Sequence, residues 1–410
     1  MAEKDRGIEK SMAEIHVNKE YKKWMFFLAY GIYLISVILY ESQYGKMECL
    51  DLFFPVVRFI AYGLICVKVI LDFLEREYSW KELLVVVGIG ILLLVSAYES
   101  KNKNLLIYWV FIVASHDIDF QQIIKWALFL HLGVLLFVIG SSYGGIVENQ
   151  IYIQDNGNRI RESLGFHYAT QGSHHYFYII LFWIYWRKDK ITWKELAVMT
   201  AANIYFFVKT DTKNAFALGM LAIIGAAILK CIPYLRKYKK IYSLIAVGIV
   251  PMVSAGIIGL SVKYDESVQW MQKINRFVTG RLVLGHNEYL THKPHLFGQP
   301  IVWTDGGHYY VDSSYMQVLL CLGIVILIVV VTGLVTLGIS IMIKRDTYFL
   351  LVFSLFSVHS TFDAQLVWIG YNAFIMAYSY IKSAGKILCD ERKGEKSDGS
   401  STAKCITAAR

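Results

Sequence analysis

The side chains best suited to chemistry in this chain gather in two polar stretches, from about Ser142 to His175 and from about Val262 to Asp312. The first reads YIQDNGNRIRESLGFHYATQGSHHYFY. It places Arg159 and Arg161 ahead of a Gly-Phe-His turn, with His174 and His175 at the entry to the next apolar run. Arginines and histidines at this density make an anion site, because the planar guanidinium fork stays charged and donates two parallel hydrogen bonds to a phosphate. The alternative is a solvated loop with scattered cations. The second stretch carries Lys273, Arg276 and Arg281. Helical spacing puts Trp270, Ile274 and Phe277 on one face, the pattern of a short amphipathic helix lying on a bilayer surface. Leu296–Gly298 (LFG) and Thr304–Tyr310 (TDGGHYY) are turn signals. Asp312 stands directly before an apolar run, where it reads either as a helix N-cap, shared with Ser313 or Ser314, or as a carboxylate facing a lumen. A tight turn, Lys209–Asn214 (KTDTKN), adds Lys213 as a snorkelling residue or a phosphate contact.

Metal chemistry has little support in the spacing. His174 and His175 are adjacent and diverge on a helix, and His292 and His295 lie in a Pro-containing loop. Asp117 and Asp119 fall on the opposite side of the membrane from the two polar stretches. The six cysteines (Cys49, Cys66, Cys231, Cys321, Cys389 and Cys405) form no CxxC pair and read as small hydrophobes. The chain has no H-E-x-x-H, P-loop or G-x-S-x-G elbow. No catalytic metal and no cofactor are expected.

The elements that must position these residues are membrane helices. The 410 residues are 56% hydrophobic and only 18% charged, and the mean hydropathy is +0.45. Apolar runs of about 20 residues suit helices crossing a hydrocarbon core of roughly 30 Å, and the runs are too continuous for a β-barrel. The fold class expected is all-α and polytopic, with about 12 transmembrane helices. Their limits read 24–40, 52–74, 82–98, 104–116, 122–142, 172–186, 195–209, 213–230, 241–261, 313–343, 346–361 and 363–384. The tenth starts as a half-buried helix at Ser313 before it crosses. The net charge of +9 is no sign of nucleic acid, since the basic residues sit between the spans. Most of the 41 Lys and Arg fall in segments that are cytoplasmic if the N-terminus is inside, as the positive-inside rule requires. That orientation puts both termini inside and both large loops, 143–171 and 262–312, outside. Residues 1–23 read as a polar cytoplasmic tail without a cleavable signal. Residues 24–384 form one membrane domain, and 385–410 a Ser-, Lys- and Gly-rich tail.

At these residues the chain resembles the Wzy-type bacterial polysaccharide polymerases of the O-antigen ligase superfamily. The resemblance rests on R-x-x-x-G-F-H at Arg161–His167, Arg161 and Gly172 at R-x10-G spacing, the KTDTK turn, and F-x-x-G-R-x-x-L at Phe277–Leu284. It also rests on LFG and on VDSSYMQVLLCLG at Val311–Gly323. Ligase relatives carry a His-Asn pair before this span. Asp312 stands at about the His position, which favours polymerase over ligase. The resemblance implies a membrane glycosyltransferase that takes undecaprenyl-diphosphate-linked oligosaccharide on the outer leaflet of the bacterial cytoplasmic membrane. It also implies a chain-length regulator and a flippase as partners. A diphosphate leaving group calls for fixed positive charge. Arg161, Arg276 and Arg281, with Arg159 and Lys213, are the candidates. The acceptor hydroxyl needs a base, for which Asp312 ranks ahead of His308 and His175. Trp303, Tyr309, Tyr310 and Trp270 are candidates for stacking on sugar rings, or else belong to an interfacial aromatic belt.

Two other readings stand beside this one. A ligase attaching finished polymer to a different acceptor would use the same donor. A flippase or transporter would explain Arg58 and Lys68, which lie within the second span, since intramembrane charge marks transport routes.

Overall fold

A computed structural model describes residues 2–154, 159–232, 239–302 and 310–388. It is all-helical apart from one hairpin. Helices α1 (Ala2–Tyr40), α2 (Phe53–Leu74), α3 (Trp80–Ser100), α4 (Asn104–Ala114) and α5 (Phe120–Tyr143) lead into strands β1 (Ile151–Gln154) and β2 (Arg159–Glu162). Then come α6 (Ala169–Arg187), α7 (Trp193–Thr210), α8 (Lys213–Cys231) and α9 (Lys239–Val262). Two short helices, α10 (Gln269–Phe277) and α11 (Arg281–Thr291), precede α12 (Ser314–Gln317), α13 (Ile324–Lys344) and α14 (Thr347–His359). Among the described residues seven helices are long and apolar enough to cross a membrane, and α4 and α14 are shorter apolar helices. The chain is therefore a polytopic membrane protein.

Local signals explain several helix starts. Ser79 with Glu82 and Thr192 with Glu195 form reciprocal capping boxes for α3 and α7. Asp119 accepts from the Gln121 N–H to open α5. Helix α6 is buried nearly throughout, so it is the central post of the bundle, packed by α5, α7, α8 and α14.

The structure departs from the sequence reading in four places. Helix α1 runs unbroken from Ala2, where a tail over 1–23 is expected. The first large loop contains the hairpin, in antiparallel register with Tyr152 opposite Arg161 and Gln154 opposite Arg159. The tenth span is divided. After α12 a π-helical turn (Val318–Leu322) ends at Gly323, whose φ of 103° is open to glycine, and α13 starts afresh. The LFG loop fills this break. The carbonyls of His295 and Leu296 accept from the Ile324 and Val325 N–H groups (3.0 and 3.1 Å), and Gln299 N–H donates to Cys321 O (3.1 Å). A side chain at Gly298 (φ 89°) would put its Cβ 2.1 Å from the Cys321 carbonyl, so the motif needs its glycine for close backbone approach. The fourth departure is the expected twelfth span, 363–384. It is irregular from Thr361 to Met376, apart from one 3-10 turn at Ala373–Ile375, and helical only over 378–388. This stretch holds Asp363, Gln365 and Asn372. Side-chain hydrogen bonds made by Asn372 and Ser314 tie it down, in place of a helical ladder.

The charges inside the second span are satisfied internally. Lys68 neither snorkels nor faces a route: its ammonium lies 2.7 Å from Asp72 and 2.6 Å from Asp117. Asp72 also meets Lys22 (3.3 Å), which holds Glu75 and Glu77 at 2.6 and 3.1 Å. Arg58 donates to Ser36 Oγ (3.1 Å) and lies over the Tyr40 ring.

Candidate active site

The ends of α1, α6, α7, α8 and α14 nearest Glu41, His174, Asp211, Lys213 and His359 lie at one end of the bundle, and both polar stretches emerge there. They enclose a cavity of ≈ 670 Å³. Residues far apart in sequence line it: Arg159, Arg161, Lys213, Arg281, Tyr310 and Asp312, all singled out above, and also Glu41, His174, Asp363, Gln365, Trp368 and Tyr371.

Strand geometry explains the arginine pair. Successive strand residues point to opposite faces, so Arg159 and Arg161 share one face and Ile160 takes the other. Ile160 pairs with Ile153, and both are exposed, as is Ile151. The hairpin thus turns its isoleucines outward and its guanidinium groups into the cavity. The sequence signal was present: Asn-Gly between two short runs, IYIQ and RIRE, predicts a hairpin.

Arg159 pairs with the Asp211 carboxylate and donates to its carbonyl (2.9 Å). Asp211 ends α7 in a left-handed conformation, which turns the chain back and lets Lys213 open α8 beside it. Lys209 points away to Glu162 (2.9 Å). Arg161 is 5% exposed, yet no carboxylate lies within ion-pair distance of it among the described residues. Its Nε donates to Thr210 O (2.8 Å) and its Nη1 to Tyr168 Oη (3.3 Å), and the guanidinium lies over the Tyr168 ring. Burial pulls its pKa below the ordinary arginine range, the mark of a cation lacking an anion.

On the opposite wall Arg281 opens α11. Its Nε donates to Phe362 O (2.6 Å), and its Nη2 lies 3.2 Å from Asp312 and 3.7 Å from Asp363. Asp312 is no helix cap: Ser313 holds the N-cap position of α12, and no side chain caps it. Burial and the neighbouring Asp363 push the Asp312 carboxyl up to about 6, against the opposing pull of Arg281 and His174. Glu41 is a second raised carboxyl at this wall. Burial takes it to about 7, although Tyr371 donates to it (2.5 Å).

Three expected residues fall elsewhere. His175 does not line the cavity. It is buried behind the wall, 3.2 Å from Glu41 and stacked on Tyr371. Arg276 and Trp270 sit on exposed faces of α10. Trp303, His308 and Tyr309 lie outside the described residues.

The sequence reading missed Glu41, His174 as a wall residue, and the Asp363–Tyr371 segment. For His174 and the Asp363–Tyr371 segment, polar residues inside a supposed span were the available signal, since such residues are costly there and mark sites; Glu41 lies between spans and had none. Comparison with family models, with curated proteins and with solved structures gives no match to this chain.

Proposed function

We propose that this protein is a membrane glycosyltransferase that polymerises lipid-diphosphate-linked oligosaccharide repeat units, as its resemblance to the Wzy-type polymerases implies. The observation that carries the reading is Arg161: a buried guanidinium without a carboxylate partner among the described residues, beside Arg159 and Lys213, in a cavity that also holds a raised carboxyl. The cations would take the diphosphate and stabilise the charge that develops as it leaves. Asp312 would accept the proton of an acceptor sugar hydroxyl. That oxygen attacks the anomeric carbon, the carbon–oxygen bond to the diphosphate breaks, and the lipid diphosphate departs. Tyr310 and Trp368, both lining the cavity, offer ring faces for sugar C–H surfaces. The reading places the cavity on the outer face of a bacterial cytoplasmic membrane and both termini inside, with undecaprenyl diphosphate as the carrier and a chain-length regulator and a flippase as partners.

The flippase reading loses the residues that favoured it, because Lys68 and Arg58 have partners within the bundle. A ligase would use the same donor pocket and differs only in its acceptor.

The test is an assay with purified full-length protein and undecaprenyl-diphosphate repeat units, resolved on a gel. A ladder is expected. Its absence, alongside movement of lipid-linked sugar across liposomes containing the protein, would replace the polymerase with a flippase. Transfer of polymer onto an added acceptor alone would make it a ligase.

A further inference from the structure

We propose that His174, His359 and Asp363 form a binding site for one divalent transition-metal ion of the zinc class, set into the wall of the cavity. This stands on geometry alone and does not depend on the polymerase reading. It runs against the absence of metal-ligand spacing in the sequence.

The three side chains come from α6, α14 and the irregular segment after α14, and all are buried. His174 Nε2 lies 3.3 Å from Asp363 Oδ1, and His359 Nε2 lies 3.3 Å from Asp363 Oδ2. Zinc bonds of roughly 2.0–2.1 Å at tetrahedral angles set neighbouring donors about 3.3 Å apart. Each imidazole nitrogen thus stands about that far from a different oxygen of Asp363, the three donor atoms lie within 4.8 Å of one another, and both spacings are longer than a good charge-assisted hydrogen bond. Among the described residues no hydrogen-bond partner reaches His174 Nε2, either ring nitrogen of His359, or Asp363 Oδ2, although all are buried. Buried polar atoms left in this state call for an ion or a proton.

The surroundings fit as well. Gln365 lies 2.6 Å from His174 Nδ1, while its own amide oxygen is without a partner. Turning the amide lets Nδ1–H donate to that oxygen and leaves the Nε2 lone pair facing Asp363. A ligating histidine is usually oriented in this way through its second nitrogen. Charge points in the same direction. Arg281 is shared between Asp312 and Asp363, so these three side chains sum to one negative charge beside two imidazoles. His174 and Asp363 line the cavity, so the open coordination position faces it. Two imidazoles and a carboxylate suit zinc-class ions better than magnesium or calcium.

A second cluster in the molecule shows what a filled position looks like. Asp72, His116 and Asp117 also converge. There the Lys68 ammonium already lies 2.7 and 2.6 Å from the two carboxylates, and no ion is needed.

The test uses the full chain in detergent, stripped with chelator and titrated with Co2+. We expect one equivalent by elemental analysis, the intense visible absorption of four-coordinate Co2+, and its displacement by Zn2+. His359→Gln and Asp363→Asn should each weaken binding at least 100-fold, and Gln365→Leu by roughly 10–100-fold. Asp72→Asn should leave it unchanged. No stoichiometric Co2+ in the wild type overturns the proposal, as does unchanged binding in His359→Gln. If that variant does not fold, His174→Gln at the wall carries the same expectation, and unchanged binding there overturns it equally. Loss of the band in Asp72→Asn would move the site to the other cluster. One bound metal without polymer formation would refute the polymerase reading alone, and a ladder made by metal-free protein that binds no Co2+ would refute the metal site alone.

Discussion

At one end of the bundle Lys22 and Lys68 meet Asp72, Glu75, Glu77 and Asp117; at the other, Arg159, Arg161, Lys213 and Arg281 meet Glu41, Asp211, Asp312 and Asp363. Both clusters hold ionised groups out of water, yet they differ in how the cations are satisfied. Each lysine of the first has at least two carboxylates within 3.3 Å, and the excess negative charge on Glu75, Glu77 and Asp117 reaches solvent. In the second, Arg161 is buried with neutral partners and Arg281 divides itself between two acids. A closed set of ion pairs fixes helices against one another. An open set stores an unmet demand for a ligand. The same residue types thus serve packing at one end and recognition at the other, and burial alone does not separate the two.

The largest effect should come from the open end. Asp312→Asn should lower polymer formation by about 10²–10⁴-fold if the carboxylate is the base, with membrane protein level intact. Unchanged product on the gel would leave Asp312 as a partner of Arg281 only. Arg161→Ala should follow at about 10²–10³-fold, the scale of one lost charge-stabilising donor. Arg161→Lys should rescue it poorly, because an ammonium cannot reproduce the fork; full rescue would reduce the contact to simple charge attraction.

The closed end should respond in stability. Lys68→Met takes the ammonium from Asp117 and from one oxygen of Asp72 and should cost about 3–5 kcal/mol, read by chemical or thermal unfolding in detergent, while the folded fraction keeps its activity. Activity lost without destabilisation would break the contrast between the two ends.

A pH series sharpens it further. The Asp312 carboxyl is raised from 3.8 to about 6, so activity should rise through pH 6 and level above it. Burial sets that midpoint first, with Arg281, Asp363 and His174 adjusting it, and Asp312→Asn should abolish this limb. The linked stability has the opposite sign: the folded state holds the proton longer, so stability falls from about pH 4 to pH 6 and is flat above. The smallest of these effects belongs to Gly298→Ala. It should destabilise by about 1–3 kcal/mol through strain at the Gly323 break and leave donor binding alone.

Much of this was legible in the chain. Hydropathy gave the helices from α2 to α9 to within a few residues, and the C-terminal end of α1, because a run of about 20 apolar residues has few other solutions. The cationic loops also stood out, and Arg159, Arg161, Lys213, Arg281 and Asp312 do line one cavity. Arg276 and His175 do not, because spacing along a loop says nothing about which side chain a fold turns inward.

What the sequence determined by itself was class and ingredients: a helical membrane protein with two polar stretches rich in arginine and histidine. Local composition and periodicity suffice for that. Only the tertiary structure decided which charges close on each other and which stay open. It paired Lys68 with Asp72 and Asp117 and left Arg161 among neutral groups. It also unwound the expected twelfth span, bringing Asp363 to His174 and His359. Hydropathy averaged over a window cannot see that break, because Asp363, Gln365 and Asn372 are few among apolar neighbours. Long-range partners for the freed backbone make the irregular path stable, and only the folded chain brings them together.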